Sequence, residues 1–252
     1  MKNGEGETLD PSVGYELNFK NLIEPNNADV FIHSWSTEHS EFLKSTYRPV
    51  SATVEPQRTF KESKRLNRNR DLAEKLKLGF DYFVNRKSFD ALRVHWEKEA
   101  FRAQSRWFST QETLRLKSEW ESKMGFDYDC VIVTRLDVAF YTPLNLKEFD
   151  MDFLHVSNWN HAPPSNVSAT EVESLDTSNQ HQNRGFLDFW FFSSSRNMDS
   201  FGGLFKEIDK YHPNPHRSSF QHSKRIGLRP HYTLYRWQDH EMLRRKEFRA
   251  ES

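Results

Sequence analysis

The sequence predicts an α/β fold with a mainly parallel central sheet and helices on both faces. Three observations predict it. Residues 29–35 and 128–137 are short, nearly continuous runs of β-branched, aromatic and other apolar side chains, the pattern of strands buried on both sides. Between them, Trp96, Ala100, Ala103, Trp107 and Leu114 recur at steps of three, four and seven residues, with Trp120 six further on, which is helical spacing. Strands alternating with helices along one chain imply a sheet of mostly parallel strands covered on both faces. The 252 residues suffice for one such domain, and 21 Phe with 7 Trp supply large rings for its core.

The elements follow in order. Residues 1–14 hold three glycines, a proline and several carboxylates and read as a disordered lead-in, so the domain is expected to span 15–252. Tyr15, Phe19, Leu22 and Ile23 have helical spacing ended by Pro25. The 29–35 strand follows the turn signal Pro25-Asn26-Asn27, and Ser36 or Thr37 begins a helix through Leu43. Residues 52–55 form a weaker strand closed by Pro56. Residues 57–90 are highly charged, with six basic side chains from Arg58 to Arg70 and interleaved acids; they read as a solvated face, with phosphate contact the lesser reading. One or two long helices cover 91–123, stopped by Gly125. The 128–137 run is the clearest strand, and 153–157 is a second. Residues 158–184 are rich in Asn, Ser, Pro and His without periodicity; loops longer than about fifteen residues are usually functional or disordered. An aromatic strand at 186–192 leads through Ser193-Ser194-Ser195 into a helix carrying Phe201, Leu204, Phe205 and Ile208. A short helix at 217–227, a strand at 232–235 and a basic end at 244–246 complete the chain.

Composition excludes several classes. Basic and acidic residues balance at 36 each, so no net field draws the chain to nucleic acid or anionic lipid, and no nucleic-acid partner is expected. Lone Cys130 cannot form an internal disulfide, which fits a reducing compartment. No apolar run approaches the ~20 residues of a membrane span, and the polar, acidic N-terminus is unlike a signal peptide. A soluble, cytoplasmic protein is expected, in which the sequon Asn166-Val167-Ser168 goes unmodified. The eleven His are dispersed, against a structural zinc site. P-loop, dinucleotide and serine-hydrolase motifs are absent.

Ligands of such sheets sit beyond the carboxyl ends of the strands, which singles out a few residues. Arg135 and Asp137 share one side of the 128–137 strand, with Leu136 turned inward. Asp137 can hold a divalent ion against a diphosphate, and Arg135 can pair with phosphate or with Asp137 itself; a purely structural pair is the competing reading. Asp188 lies in Gly185-Phe186-Leu187-Asp188-Phe189-Trp190-Phe191-Phe192. Among such rings its pKa should rise, which suits a base acting on a hydroxyl; a cap, a hydroxyl clamp or an exposed strand residue are the alternatives. His33 and Trp35 face one way at the end of the first strong strand, placed to bond and stack against a sugar or base, although core packing also accounts for Trp35. Arg106, in Ser105-Arg106-Trp107-Phe108-Ser109, reaches a phosphate or is an ordinary helix-surface Arg.

These motifs, with the 29–35 run, Tyr128-Asp129 leading to Thr134-Arg135-Leu136-Asp137, and the terminal Leu243-Arg244-Arg245-Lys246, resemble a largely uncharacterised family of glycosyltransferase-like proteins with the A-type, Rossmann-related fold, found mostly in bacteria, phages and large viruses. The resemblance covers about residues 15–250. It implies a nucleotide-sugar donor, a glycan or other hydroxyl acceptor, Mn2+ or Mg2+ at Asp137 and an acceptor-facing Asp188; His33, Trp35, Arg106 and Arg135 are the substrate-contact candidates. Two departures stand out. Arg135 occupies the first position of the Asp-x-Asp such folds carry, so it can supply the charge a metal otherwise provides. Residues 1–14 contain no counterpart of the usual first strand, so the sheet is expected to lack it. The loop 158–184 is expected to close over the donor. Two rivals remain at this point: a degenerate, non-catalytic carbohydrate- or nucleotide-binding module, and a protein-interaction module using the aromatic surface and the basic 58–70 segment.

Overall fold

The computed structural model describes residues 11–60, 63–158, 185–236 and 238–243. Helix α1 (Pro11–Asn18) runs into a π-helical turn, Phe19–Ile23, and a 3-10 turn, Glu24–Asn26. The helix therefore starts inside the expected lead-in. Its end is fixed by asparagines that stand in for a missing neighbour strand. Asn18 donates to Val138 O (2.8 Å) and accepts from Phe140 N (3.1 Å), and Asn21 donates to Phe140 O (2.7 Å). The buried amide of Asn18 is tolerated because both of its polar ends find partners.

Strand β1 (Phe31–Ser34) crosses through α2 (Ser40–Tyr47) to its parallel neighbour β2 (Ser51–Val54). The one-turn α3 (Ser63–Leu66) and α4 (Leu72–Val84) lead into α5 (Arg86–Met124), a single helix of 39 residues, about 58 Å long. Gly125 ends it with φ of 74°, a left-handed cap that costs glycine little. Next come β3 (Val131–Thr134), β4 (Val138–Phe140) and β5 (Leu154–Asn158). The expected loop lies in residues 159–184, outside the described residues. β6 (Leu187–Ser193), α6 (Ser195–Gly202, capped by Ser194), α7 (Pro215–Arg225), β7 (Pro230–Tyr235) and β8 (His240–Met242) follow.

The fold is mixed α/β, but the expected mainly parallel sheet is corrected. The largest sheet has the order β3-β6-β5-β7. β6 is antiparallel to both neighbours, and only β5 and β7 run parallel. β4 and β8 form a separate antiparallel ribbon. All seven residues of β6 are buried, and a strand buried on both faces carries no alternation from which its direction or neighbours can be read. The core lies on both sides of this sheet. Phe191 joins Trp107, Val133, Val156, Met198 and Phe201 beneath α5 and α6, while Trp190 and Phe192 join Val138, Phe140 and Leu144 on the other face.

β1 and β3 do not pair with each other; each is an end strand of its own sheet. Among the described residues no strand precedes β1. α5 packs on β1 and, further along, on α6 and α7, so it bridges the two sheets from below. The space between the sheets is the cavity described next.

Candidate functional site

A cavity of about 1360 Å³ separates the sheets, with β1 and β3 lining it along their whole lengths and α5 as its floor. His33, Trp35, Arg106, Arg135, Asp137 and Asp188 all border it. Residues drawn from 155 positions of sequence thus meet in one place.

Arg135 and Asp137 do share a side, but not as strand residues. β3 stops at Thr134, and residues 135–137 make the turn into β4, held by Val138 N bonding Arg135 O at 3.1 Å. The turn folds Arg135 back on Asp137: Nε reaches Oδ1 at 2.8 Å and Nη2 reaches Oδ2 at 2.9 Å. Nη1 lies 3.9 Å from Asp188 Oδ2. Burial opposes the charge on Arg135, but Asp137 and Asp188 outweigh it and raise its pKa. Both oxygens of Asp137 are engaged by this fork, so a divalent ion there would compete with Arg135.

Asp188 corrects a second expectation. Burial does act to raise its pKa, yet His216, Arg135 and Arg106 together hold it below the usual carboxylate value. The apolar rings around it in sequence are not its electrostatic neighbours. His216 is the residue that sequence reasoning missed. Asn214 caps α7 by accepting from His216 N (3.0 Å) and Arg217 N (3.1 Å), and Pro215 opens the helix. That places the half-buried His216 ring in the cavity wall with Nδ1 3.2 Å from Asp188 Oδ1 and 3.1 Å from Asp188 N. The Asp188 N–H donates to Nδ1, so in the neutral ring Nδ1 is the acceptor and the proton lies on Nε2. The Asn-Pro-His start of α7 was the available signal, but nothing in it points 28 residues back to Asp188.

Gly185 makes this approach possible. Its φ is 81°, and a Cβ there would lie 2.0 Å from His216 O. The next residue closes the contact, Phe186 N donating to His216 O at 2.9 Å.

Arg106 projects from α5, donating to Thr110 Oγ1 (3.2 Å) and Asp188 O (3.3 Å). Burial lowers its pKa to about 10, so it remains charged at neutral pH. Arg102, one turn earlier, is exposed and also borders the cavity. Neither arginine forms an ion pair within 4 Å among the described residues. Arg106 Nε and Trp35 Nε1 are buried donors without a partner among those residues, an arrangement that costs about 1–3 kcal/mol per group.

His33 and Trp35 face the same way, as expected, their rings 4.6 Å apart. His33 is already engaged, by Ser109 Oγ at 3.0 Å and Glu55 Oε1 at 3.2 Å. Burial lowers its pKa although Glu55 opposes the shift. Trp35 stacks on Phe108 at 5.4 Å. These two therefore form wall rather than ready ligands. Arg58 and Arg70 of the 58–70 basic segment are likewise committed. Arg58 pairs with Glu55, and buried Arg70 bonds Glu74 and Glu99 and stacks on Trp96.

Asp71, Glu74 and His212 form a second cluster with metal-ligating atoms within 4.8 Å of one another. Arg217 holds the place a cation would take: it bonds Asp71 Oδ2 at 2.7 Å and lies 3.0 Å from His212 Nε2. The cluster ties α4 to the start of α7 instead. The terminal basic motif, 244–246, lies outside the described residues.

Comparison with protein-family models, with curated proteins and with solved structures finds no match to this chain. No helix among the described residues is long and apolar enough to cross a membrane.

Proposed function

We propose that the cavity binds a nucleotide-sugar donor together with an acceptor, and that the protein transfers the sugar to an acceptor hydroxyl. One observation carries the reading: Arg106, Arg135, Asp137 and Asp188 converge with His216 on a single cavity between two sheets. At about 1360 Å³ the cavity exceeds the ~300–1,000 Å³ of an ordinary small-molecule pocket, so two substrates fit. In this reading Arg102 and Arg106 face the diphosphate and neutralise the charge that grows on it as the bond to the anomeric carbon breaks. Asp188, kept ionised at the cavity wall, takes the proton of the acceptor hydroxyl, whose oxygen forms the new bond. His216 holds Asp188 in place by accepting from its backbone N–H, and Arg135 keeps Asp188 ionised. The arginines take the part a divalent ion would play at Asp137.

Calorimetry with nucleoside diphosphates and nucleotide sugars, in Mn2+ and in EDTA, tests the donor site. Binding should survive EDTA and weaken at least tenfold in Arg106→Met. Transfer should fall by roughly 10²-fold or more in Asp188→Asn, the range for loss of a general base, with donor affinity kept. Absence of binding by any nucleotide would remove the donor site. Binding with no turnover of any donor would leave a carbohydrate- or nucleotide-binding module.

A further inference from the structure

Helix α4 carries an apolar stripe that nothing among the described residues covers. Leu72, Leu76, Phe80 and Phe83 recur at steps of four, four and three, which places them on one face, and Val84 extends it. All five are 64% to 85% exposed. The opposite face is committed: Glu74 meets Arg70 and His212, Asp81 is buried and accepts from Ser88, and α4 packs on α5. The two phenylalanine rings alone expose on the order of 300 Å², and with the aliphatic side chains the stripe exceeds what a soluble surface leaves contiguous without purpose.

The charges beside the stripe identify what fits it. At 100° per residue, Lys75 and Lys77 lie on opposite flanks of the stripe, each about 100° from its centre. Arg86 and Lys87 follow at the turn into α5, and all four are exposed. Of the three carboxylates between residues 72 and 90, Glu74 and Asp81 point inward, leaving Asp90 beside Arg86 as the outward one. An apolar stripe about 20 Å long, with lysines on both flanks and an excess of positive charge, matches the two layers of an anionic bilayer surface. The rings enter the acyl boundary while the lysine stems reach back to the headgroups. A protein groove would need carboxylates placed opposite each lysine; a lipid surface supplies them everywhere.

We propose that α4 is an interfacial membrane-binding helix that seats the protein on anionic lipid, without spanning it. The surface does not overlap the cavity, so this proposal and the transferase reading stand or fall separately.

Sedimentation of the full chain with vesicles tests it. Vesicles of phosphatidylcholine with 30% phosphatidylglycerol should carry the protein down at least tenfold better than phosphatidylcholine alone. Combining Leu76→Ser, Phe80→Ser and Phe83→Ser should reduce that binding at least tenfold at an unchanged melting temperature, because the replaced side chains are exposed. Lys75→Gln with Lys77→Gln and Lys87→Gln should weaken it several-fold and flatten its salt dependence. Failure of the unaltered chain to bind anionic vesicles overturns the proposal, as does binding that the serine variant leaves intact. A dimer that the serine variant makes monomeric, with no vesicle binding by either, would assign the stripe to a second copy of the chain.

Discussion

Arg135 is the residue on which the charges of the cavity depend. Its fork satisfies both oxygens of Asp137, which is 2% exposed, and its third nitrogen lies 3.9 Å from Asp188. Removing one partner of a buried ion pair leaves the other charged and poorly solvated, a loss of about 3–5 kcal/mol. Arg135 is itself partly open to solvent, so Arg135→Leu should cost about 3 kcal/mol in urea unfolding at neutral pH. Adding Asp137→Asn should restore about half of that, because the uncompensated charge goes with it. A single-variant loss under about 1 kcal/mol would show that the pair contributes little. The same substitution removes one of the cations that hold Asp188 ionised, so the Asp188 pKa should rise, measurable by carboxyl NMR titration. The sequence placed these side chains correctly on one side of the chain, because two-residue spacing holds through the turn as it would along a strand. It gave the wrong direction for Asp188, because the groups that set its ionisation, His216, Arg135 and Arg106, are 28 to 82 positions away.

At the scale of elements, the site depends on how closely β6 enters beside α7. Gly185 fixes that distance. In Gly185→Ala the new Cβ would overlap the His216 carbonyl in a backbone conformation that alanine disfavours. The first turn of α7 or the start of β6 must then move. The expected cost is more than about 2 kcal/mol in urea unfolding, together with loss of the Asp188–His216 contact, visible as a rise in the Asp188 pKa by carboxyl NMR titration. An unchanged titration would show that the contact does not need the close approach. This juxtaposition also marks the limit of what the sequence discloses. β1, β3, β5, β6, α5 and its Gly125 stop are legible because burial and helical spacing are local patterns. The direction of β6 and the break of the 128–137 run after Thr134 are not, since a fully apolar strand looks the same in either orientation and a two-residue turn costs no visible Gly or Pro. Asn18 and Asn21 were invisible for another reason: amides that replace a strand neighbour have no spacing rule. The α4 stripe lay within a stretch whose abundant charges masked Leu72, Leu76, Phe80 and Phe83.

At the scale of the whole molecule, burial holds five histidines among the described residues toward the neutral form, and acid stability follows from them. Burial lowers the pKa of His33, His155, His212, His222 and His240, the last to about 3. His240 is fully buried among Phe140, Phe189 and Trp190, with Ser157 Oγ at Nε2 and no partner at Nδ1 among the described residues. An unfolded histidine binds a proton below about pH 6.5. Between that pH and its folded pKa the unfolded chain carries a proton that the native state excludes, so stability falls as pH falls. His240 alone should remove about 1 kcal/mol between pH 7 and pH 5.5, and the other four add to the same slope. The lowered carboxylates, Asp188 and Glu55 among them, act in a different window. Their stabilisation is complete above about pH 4.3 and is lost only as pH falls through their folded values. Acid unfolding should therefore begin in the histidine range, well before any carboxylate is protonated. Urea unfolding at pH 7.0, 6.2 and 5.5 should show the decline, and His240→Gln should flatten it even if it lowers stability at pH 7. A stability that stays level down to pH 4.5 would mean that these rings exchange protons with solvent in the native state, and that the core around Trp190 opens far more readily than its packing implies.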